Sequence, residues 1–128
     1  MFMENALKKI MLVDDNITNL KIGRGLLADL YNVFTLPSGE KLFQLLEKVT
    51  PDLILLDVEM PDMDGYEVLR KLKAAPSTRN IPVIFLTAVN DAAREREGLA
   101  LGAVDFISKP FSPQFLLDRV ARAVLEMV

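Results

Sequence analysis

Four short apolar runs each end in a polar group: KIMLVDD at 9–15, LILLD at 53–57, VIFLT at 83–87 and DFISKP at 105–110. Runs this short, rich in Ile, Leu and Val and separated by longer stretches of helical periodicity, are the pattern of buried parallel strands joined by helices. A fifth, weaker run lies at 31–36, so strand and helix patterns alternate five times, with no repeat or low-complexity segment. That alternation predicts an α/β fold, one parallel sheet covered by helices on both faces. At 128 residues, about half of them apolar, the chain suits a single domain over 1–128 with a real core.

The first strand, about Lys9–Asp14, leads into a helix expected over Ile17–Leu30, with Asn16 or Asp15 placed to cap it and Gly23 and Gly25 weakening it. Tyr31–Leu36 is a short second strand stopped by Pro37-Ser38-Gly39. Leu42, Leu45, Leu46 and Val49 then recur at the i, i+3, i+4, i+7 spacing of an amphipathic helix. Leu53–Asp57 is apolar on both faces, as a central strand must be. After the loop VEMPDMDG, Asp64 and Glu67 have capping-box spacing and begin a third helix that turns Tyr66, Leu69 and Leu72 inward before Pro76 ends it. Ile81–Thr87 is the fourth strand. The helix after it, about Asp91–Leu101, is charged and poorly striped, and Gly102 closes it. Val104–Ser108 is the fifth strand. Ser112-Pro113 supplies a cap and a first-turn proline for a last helix whose buried stripe is expected at Leu117, Val120, Ala121, Val124 and Val128.

Composition removes several kinds of chemistry. With 15 basic and 18 acidic residues the formal net charge is -3, so no basic footprint argues for direct nucleic-acid or anionic-membrane binding. Without cysteine there is no disulfide framework, thiolate nucleophile or zinc ribbon, and without histidine no imidazole catalysis or ligation. No apolar run approaches the length of a bilayer span, so the chain is expected to be soluble and cytoplasmic.

If the runs are parallel neighbours, their carboxyl ends share one edge, where open α/β sheets place ligands. Asp14, Asp15, Asp57, Thr87 and Lys109 would then meet. Each alone has an ordinary explanation: Asp14-Asp15 as a helix cap, Asp57 as a turn residue, Thr87 as a strand residue, Lys109 as a solvated charge. Together they complement one another. Like charges ~4 Å apart cost about 4 kcal/mol at an effective dielectric of 20, so three converging carboxylates call for a cation. Mg²⁺ takes a few carboxylates and keeps positions open for a phosphate oxygen. Phosphoryl transfer then needs an in-line nucleophile, Asp57, with Lys109 and Thr87 on the transferred oxygens. Carboxylates that form aspartyl phosphates are an established class of nucleophile.

DD at 14–15, LILLDVEMPDMDG at 53–65, the threonine at 87 and the Lys-Pro pair at 109–110 resemble the receiver domains of two-component response regulators, across almost the whole chain. The resemblance implies a flavodoxin-like, doubly wound five-stranded parallel sheet of order 2-1-3-4-5 with five helices. It implies Asp57 as the phosphoacceptor, and Asp14, Asp15, Asp57 and the backbone carbonyl of Glu59 as ligands of Mg²⁺, with Mn²⁺ as an alternative ion. Thr87 becomes a phosphate contact and switch hydroxyl, and Lys109 the phosphate-binding lysine. Phe106 falls on the family's aromatic switch position; lacking the hydroxyl of a tyrosine, it would act by packing alone. Lys109-Pro110 is a cis peptide in the family, a form that proline permits at little cost. Glu59 and Val89, two positions beyond Asp57 and Thr87, fall near the path of the water that hydrolyses the acyl phosphate and so tune dephosphorylation.

The same resemblance implies a signalling receiver, one that assists only its own phosphorylation and dephosphorylation. The donor would be a sensor histidine kinase, a histidine phosphotransfer protein or a small phosphodonor, since the chain holds no histidine. The switched face, about residues 87–112, would control an output domain or effector protein, with dimerisation on activation as an option. DDNITNL, RNIPVIFLTA and LGAVDFISKPFSP are most similar to receivers fused to HD-GYP or GGDEF cyclic-dinucleotide output domains, or to hybrid kinases. Two other Asp or α/β chemistries fit less well. A phosphatase of the haloacid dehalogenase type carries its DxD on the first strand, whereas Asp57 ends the third. A flavin carrier would place phosphate after the first strand, where Asp14 and Asp15 repel it. A receiver-like module with a dead site would lack some of the five site residues, and all five are present.

Overall fold

A computed structural model of the chain describes residues 7–88, 92–109 and 112–125. Five strands, β1 (Lys9–Val13), β2 (Asn32–Leu36), β3 (Leu53–Leu56), β4 (Val83–Thr87) and β5 (Asp105–Ser108), pair in parallel in the order β2-β1-β3-β4-β5. Helices α1 (Ile17–Leu27), α2 (Gly39–Leu46), α3 (Gly65–Ala74), α4 (Ala92–Ala100) and α5 (Pro113–Leu125) alternate with them. Val13 stands level with both Leu36 and Leu56, Leu56 with Phe85, and Thr87 with Ser108. The strands therefore end along a common edge.

Successive residues of a strand face opposite sides of the sheet, and here both sides are covered. Met11, Val13, Ile54, Leu56 and Phe85 pack with Leu42 of α2 and Tyr66, Leu69 and Leu72 of α3. Ile10, Leu12, Leu55, Ile84 and Leu86 pack with Leu20 and Leu27 of α1 and Leu116, Val120 and Val124 of α5. Every residue of β3 is buried, so the apolar run at 53–56 is the central strand its composition demands. Full burial of each such side chain contributes roughly 1.5–3 kcal/mol.

The helix starts follow from capping. Asn16, Ser38, Asp64 and Ser112 each accept, through the side chain, the backbone N–H three residues on, at 3.1, 3.1, 2.9 and 3.0 Å. Each such cap contributes about 1 kcal/mol.

Several sequence expectations shift. α1 stops at Leu27 instead of Leu30, where the N–H groups of Leu30 and Tyr31 both turn back to the Leu27 carbonyl. Leu27 is the last side chain with a core to enter, whereas Leu30 is 55% exposed. α2 ends at Leu46, and Val49 reaches the core from the following turn. Regular pairing in β4 begins at Val83 and in β5 at Asp105, because Pro82 has no N–H to give a ladder and Val104 is exposed. The buried stripe of α5 is Leu116, Val120, Ala123 and Val124, with Leu117 half-buried at its margin. At about 100° per residue Leu116 and Ala123 share the face of Val120, and Ala121 turns away. Val128 lies outside the described residues. α4 is as weakly anchored as its sequence suggests: Gly98 is its one buried residue among those described.

Candidate functional site

Asp14, Asp15, Asp57, Thr87 and Lys109 follow or end β1, β3, β4 and β5, and the sheet brings them to its carboxyl edge. Ligand oxygens of Asp14, Asp15 and Asp57 lie within 4.8 Å of one another. Lys109 Nζ stands 3.5 Å from Asp14 Oδ2. Asp14 and Thr87 are the buried polar residues among those described, at 5% and 0% exposure. Burying a carboxylate is costly unless it is paired and hydrogen-bonded, and Asp14 is both. Besides Lys109 it accepts the Asn16 N–H at 2.9 Å and the Asn19 side-chain amide at 3.2 Å.

The backbone fixes these side chains from both sides. The Asp14 N–H donates to the Leu36 carbonyl at 3.1 Å, the Asp57 N–H to the Val13 carbonyl at 3.0 Å, and the Lys109 N–H to the Thr87 carbonyl at 2.7 Å. On the far side of Asp57 the loop returns through Asp62, held at φ 70, and Gly65 donates its N–H to the Val58 carbonyl at 2.7 Å. A Cβ at Gly65 would collide with the Asp57 carbonyl oxygen and stand 2.9 Å from Phe85. Helix α3 can therefore start against the site only from a glycine.

Asp57 is half-buried, and its carboxyl is pushed up from 3.8 to about 6. Burial is the largest cause, followed by the charge of Asp14; Lys109 draws the value down, Asp15 raises it, and a backbone hydrogen bond from Glu59 lowers it again. The one lysine thus does not neutralise the cluster, and the site retains an unmet demand for positive charge.

Beneath this edge runs an aromatic column. Tyr66 and Phe85 meet edge to face at 5.4 Å, and Phe85 and Phe106 at 5.8 Å. Phe106 is buried against Gly98 of α4. Glu59 is exposed on the loop after Asp57. Val89 and Pro110 lie outside the described residues. The sequence did not point to Asn16, Asn19 and Gly65 as supports of the site, though the glycine closing DVEMPDMDG stands at a helix start where no glycine is needed for the helix itself.

The model of the response regulator receiver domain matches residues 10–121. The chain belongs to that family. Response regulator PleD of Caulobacter vibrioides is 42% identical to the receiver over 113 residues, 88% of this chain and 25% of that protein. A probable cyclic di-GMP phosphodiesterase of Vibrio cholerae is 41% identical over 111 residues, 87% of this chain and again 25% of the relative. The receiver thus spans about a quarter of the length of these relatives. The chemotaxis protein CheY4 of Vibrio cholerae superposes with a TM-score of 0.86 at 31% identity, covering 92% of this chain and 99% of that one. The domain is accordingly a phosphoacceptor module of two-component signalling, with the flavodoxin-like fold of its relatives. No helix among its described residues is long and apolar enough to cross a membrane.

Proposed function

We propose that Asp57 is the residue that takes the phosphoryl group, and that Asp14, Asp15, Asp57 and the backbone carbonyl of Glu59 hold Mg²⁺, or Mn²⁺, beside it. The observation that supports this is the convergence of three carboxylates within 4.8 Å, with Lys109 as the cation paired to Asp14 among the described residues. The carboxylate oxygens of Asp14, Asp15 and Asp57, within 4.8 Å of one another, are the hard ligands that Mg²⁺ takes, and they would hold such an ion. When bound, the ion supplies the positive charge that the lysine alone does not, and polarises a phosphoryl oxygen.

The chain's own groups do the rest. With a carboxyl value of about 6, Asp57 is mostly ionised above pH 7 and can attack phosphorus. The new O–P bond forms as the bond from phosphorus to the donor's nitrogen or oxygen breaks, and the leaving group departs on the opposite side. Lys109 and the Thr87 hydroxyl receive the equatorial oxygens; the Lys109–Thr87 backbone hydrogen bond keeps the two at a fixed separation. The donor is a histidine kinase, a histidine phosphotransfer protein or a small acyl phosphate, because the chain contains no histidine. Phe106 follows Thr87 toward the phosphoryl group and passes the change to the face around 87–112, for an output domain or effector in the cytoplasm. A cyclic-dinucleotide output agrees with the probable cyclic di-GMP phosphodiesterase of Vibrio cholerae among the relatives. Glu59 and Val89 set the lifetime of the acyl phosphate by their access to the attacking water. The receiver acts on no separate substrate.

Incubation with acetyl phosphate and Mg²⁺, read by intact mass, should add one phosphoryl group to the wild type and none to Asp57→Asn. Labelling retained in Asp57→Asn would overturn the assignment.

A further inference from the structure

Away from the acidic site a groove of about 650 Å³ lies between α2, α3 and the loop that follows β3. Its rim carries Glu40 from α2 and Glu47 at its C-terminal cap, Asp62 from the loop and Glu67 from α3, against one lysine, Lys71. Four carboxylates against one ammonium give a balance of -3, equal to that of the whole 128-residue chain, so the charges of the remaining residues sum to zero. Among the described residues none of these four carboxylates takes part in an ion pair. The floor is apolar: Phe43 and Met63 are half-buried and Pro61 exposed. At one end the two helices touch, since a Cβ on Gly39 would lie 2.8 Å from Val68 and 3.0 Å from Met63.

Glu40, Phe43 and Glu47 fall at i, i+3 and i+7, so α2 and its cap present an apolar ring between two acids along a single face. Glu67 and Lys71 repeat the spacing on α3. The like charges make the potential over this groove negative, and Phe43 and Met63 stay partly wetted. An occupant that answers both must carry cations at its ends and an apolar side chain between them. We propose that this groove docks a cationic segment of a partner protein, with Lys or Arg on the acidic rim and one aliphatic or aromatic side chain on Phe43 and Met63. The site is separate from the phosphoryl chemistry and does not depend on which aspartate is phosphorylated.

The test uses a fluorescein-labelled, end-blocked peptide of repeating Lys-Leu-Leu-Lys units, followed by anisotropy against the whole chain. Wild type should bind it, and raising the salt should weaken binding. Glu40→Gln/Glu47→Gln/Glu67→Gln should weaken it by about tenfold or more while retaining the wild-type melting curve. Removing three exposed acids elsewhere, in Asp29→Asn/Glu95→Gln/Asp118→Asn, should leave it within about twofold. Amide NMR shifts should centre on residues 38–47 and 61–71. Equal losses in the two triple variants, or shifts centred elsewhere, would show attraction to net charge alone and overturn the proposal. Concentration-dependent shifts of these same amides without peptide would assign the groove to a second copy of the chain and overturn it as well.

Discussion

Asp57→Asn should make the metal-free protein more stable, and the gain should fade with acid. The carboxyl is raised in the folded state from 3.8 to about 6. Between those values the folded chain binds more protons than the unfolded one, so the group's contribution to stability is fully present below 3.8. It falls as pH rises through 6 and stays at its lowest above that. A shift of about two units at about 1.4 kcal/mol each sets a ceiling of about 3 kcal/mol. Asp57 is half-buried and open to water on one side, and screening brings the expected gain of the neutral amide to about 1–2 kcal/mol at pH 7.5. The same linkage gives about half that gain at pH 5. Urea unfolding followed by circular dichroism in excess EDTA, with unchanged slope, measures both values. A gain equal at pH 5 and pH 7.5 would show that the variant acts through packing and not charge. A loss at pH 7.5 would refute the account of the site as an unmet demand for cation.

Three further outcomes follow from the geometry. Adding Mg²⁺ at tenfold excess over its dissociation constant should stabilise the wild type by about 1.4 kcal/mol, a melting shift of roughly 5 °C seen by calorimetry, and should do little for Asp57→Asn. Gly25 has open space around it, so Gly25→Ala should stabilise α1 by about 0.5–1 kcal/mol in urea unfolding. Gly23→Ala, two residues away, would set a Cβ 2.5 Å from Leu12 and should destabilise by about 1–3 kcal/mol; equal signs for the pair would contradict the packing of α1. Gly65→Ala should lower both stability, by about 2 kcal/mol or more, and the extent of labelling by acetyl phosphate, because its Cβ must displace the Asp57 carbonyl.

The strands and their ends were legible because burial on two faces writes itself as uninterrupted Ile, Leu and Val, and each run stops where solvent begins. Asp14, Asp57, Thr87 and Lys109 were found that way, and their convergence needed only the parallel arrangement. Strand order was not in the pattern; it came from family resemblance. The stripe of α5 was misplaced because Leu116 and Leu117 are adjacent and allow two helical frames, and only the sheet beneath selects the one through Leu116. Asn19 as a partner of Asp14, and Tyr66 donating to the Arg94 carbonyl at 2.9 Å, depend on where helices come to rest. No local spacing encodes a contact between residues 28 apart.

Helix α4 rests on Phe85 and Phe106 through Gly98, with no side chain keyed into the core among its described residues. Sliding it therefore forfeits almost no hydrophobic energy. Among the described residues the helix is further held by the Tyr66 hydrogen bond to the Arg94 carbonyl, the Arg94 guanidinium 5.6 Å over the Tyr66 ring and the exposed Arg70–Glu97 pair at 3.5 Å, and a Cβ in the place of Gly98 would stand 3.1 Å from Phe85. Contacts of these kinds contribute about 2 kcal/mol together. A chemical event at the sheet edge worth a few kcal/mol is therefore of the size needed to shift where this helix rests.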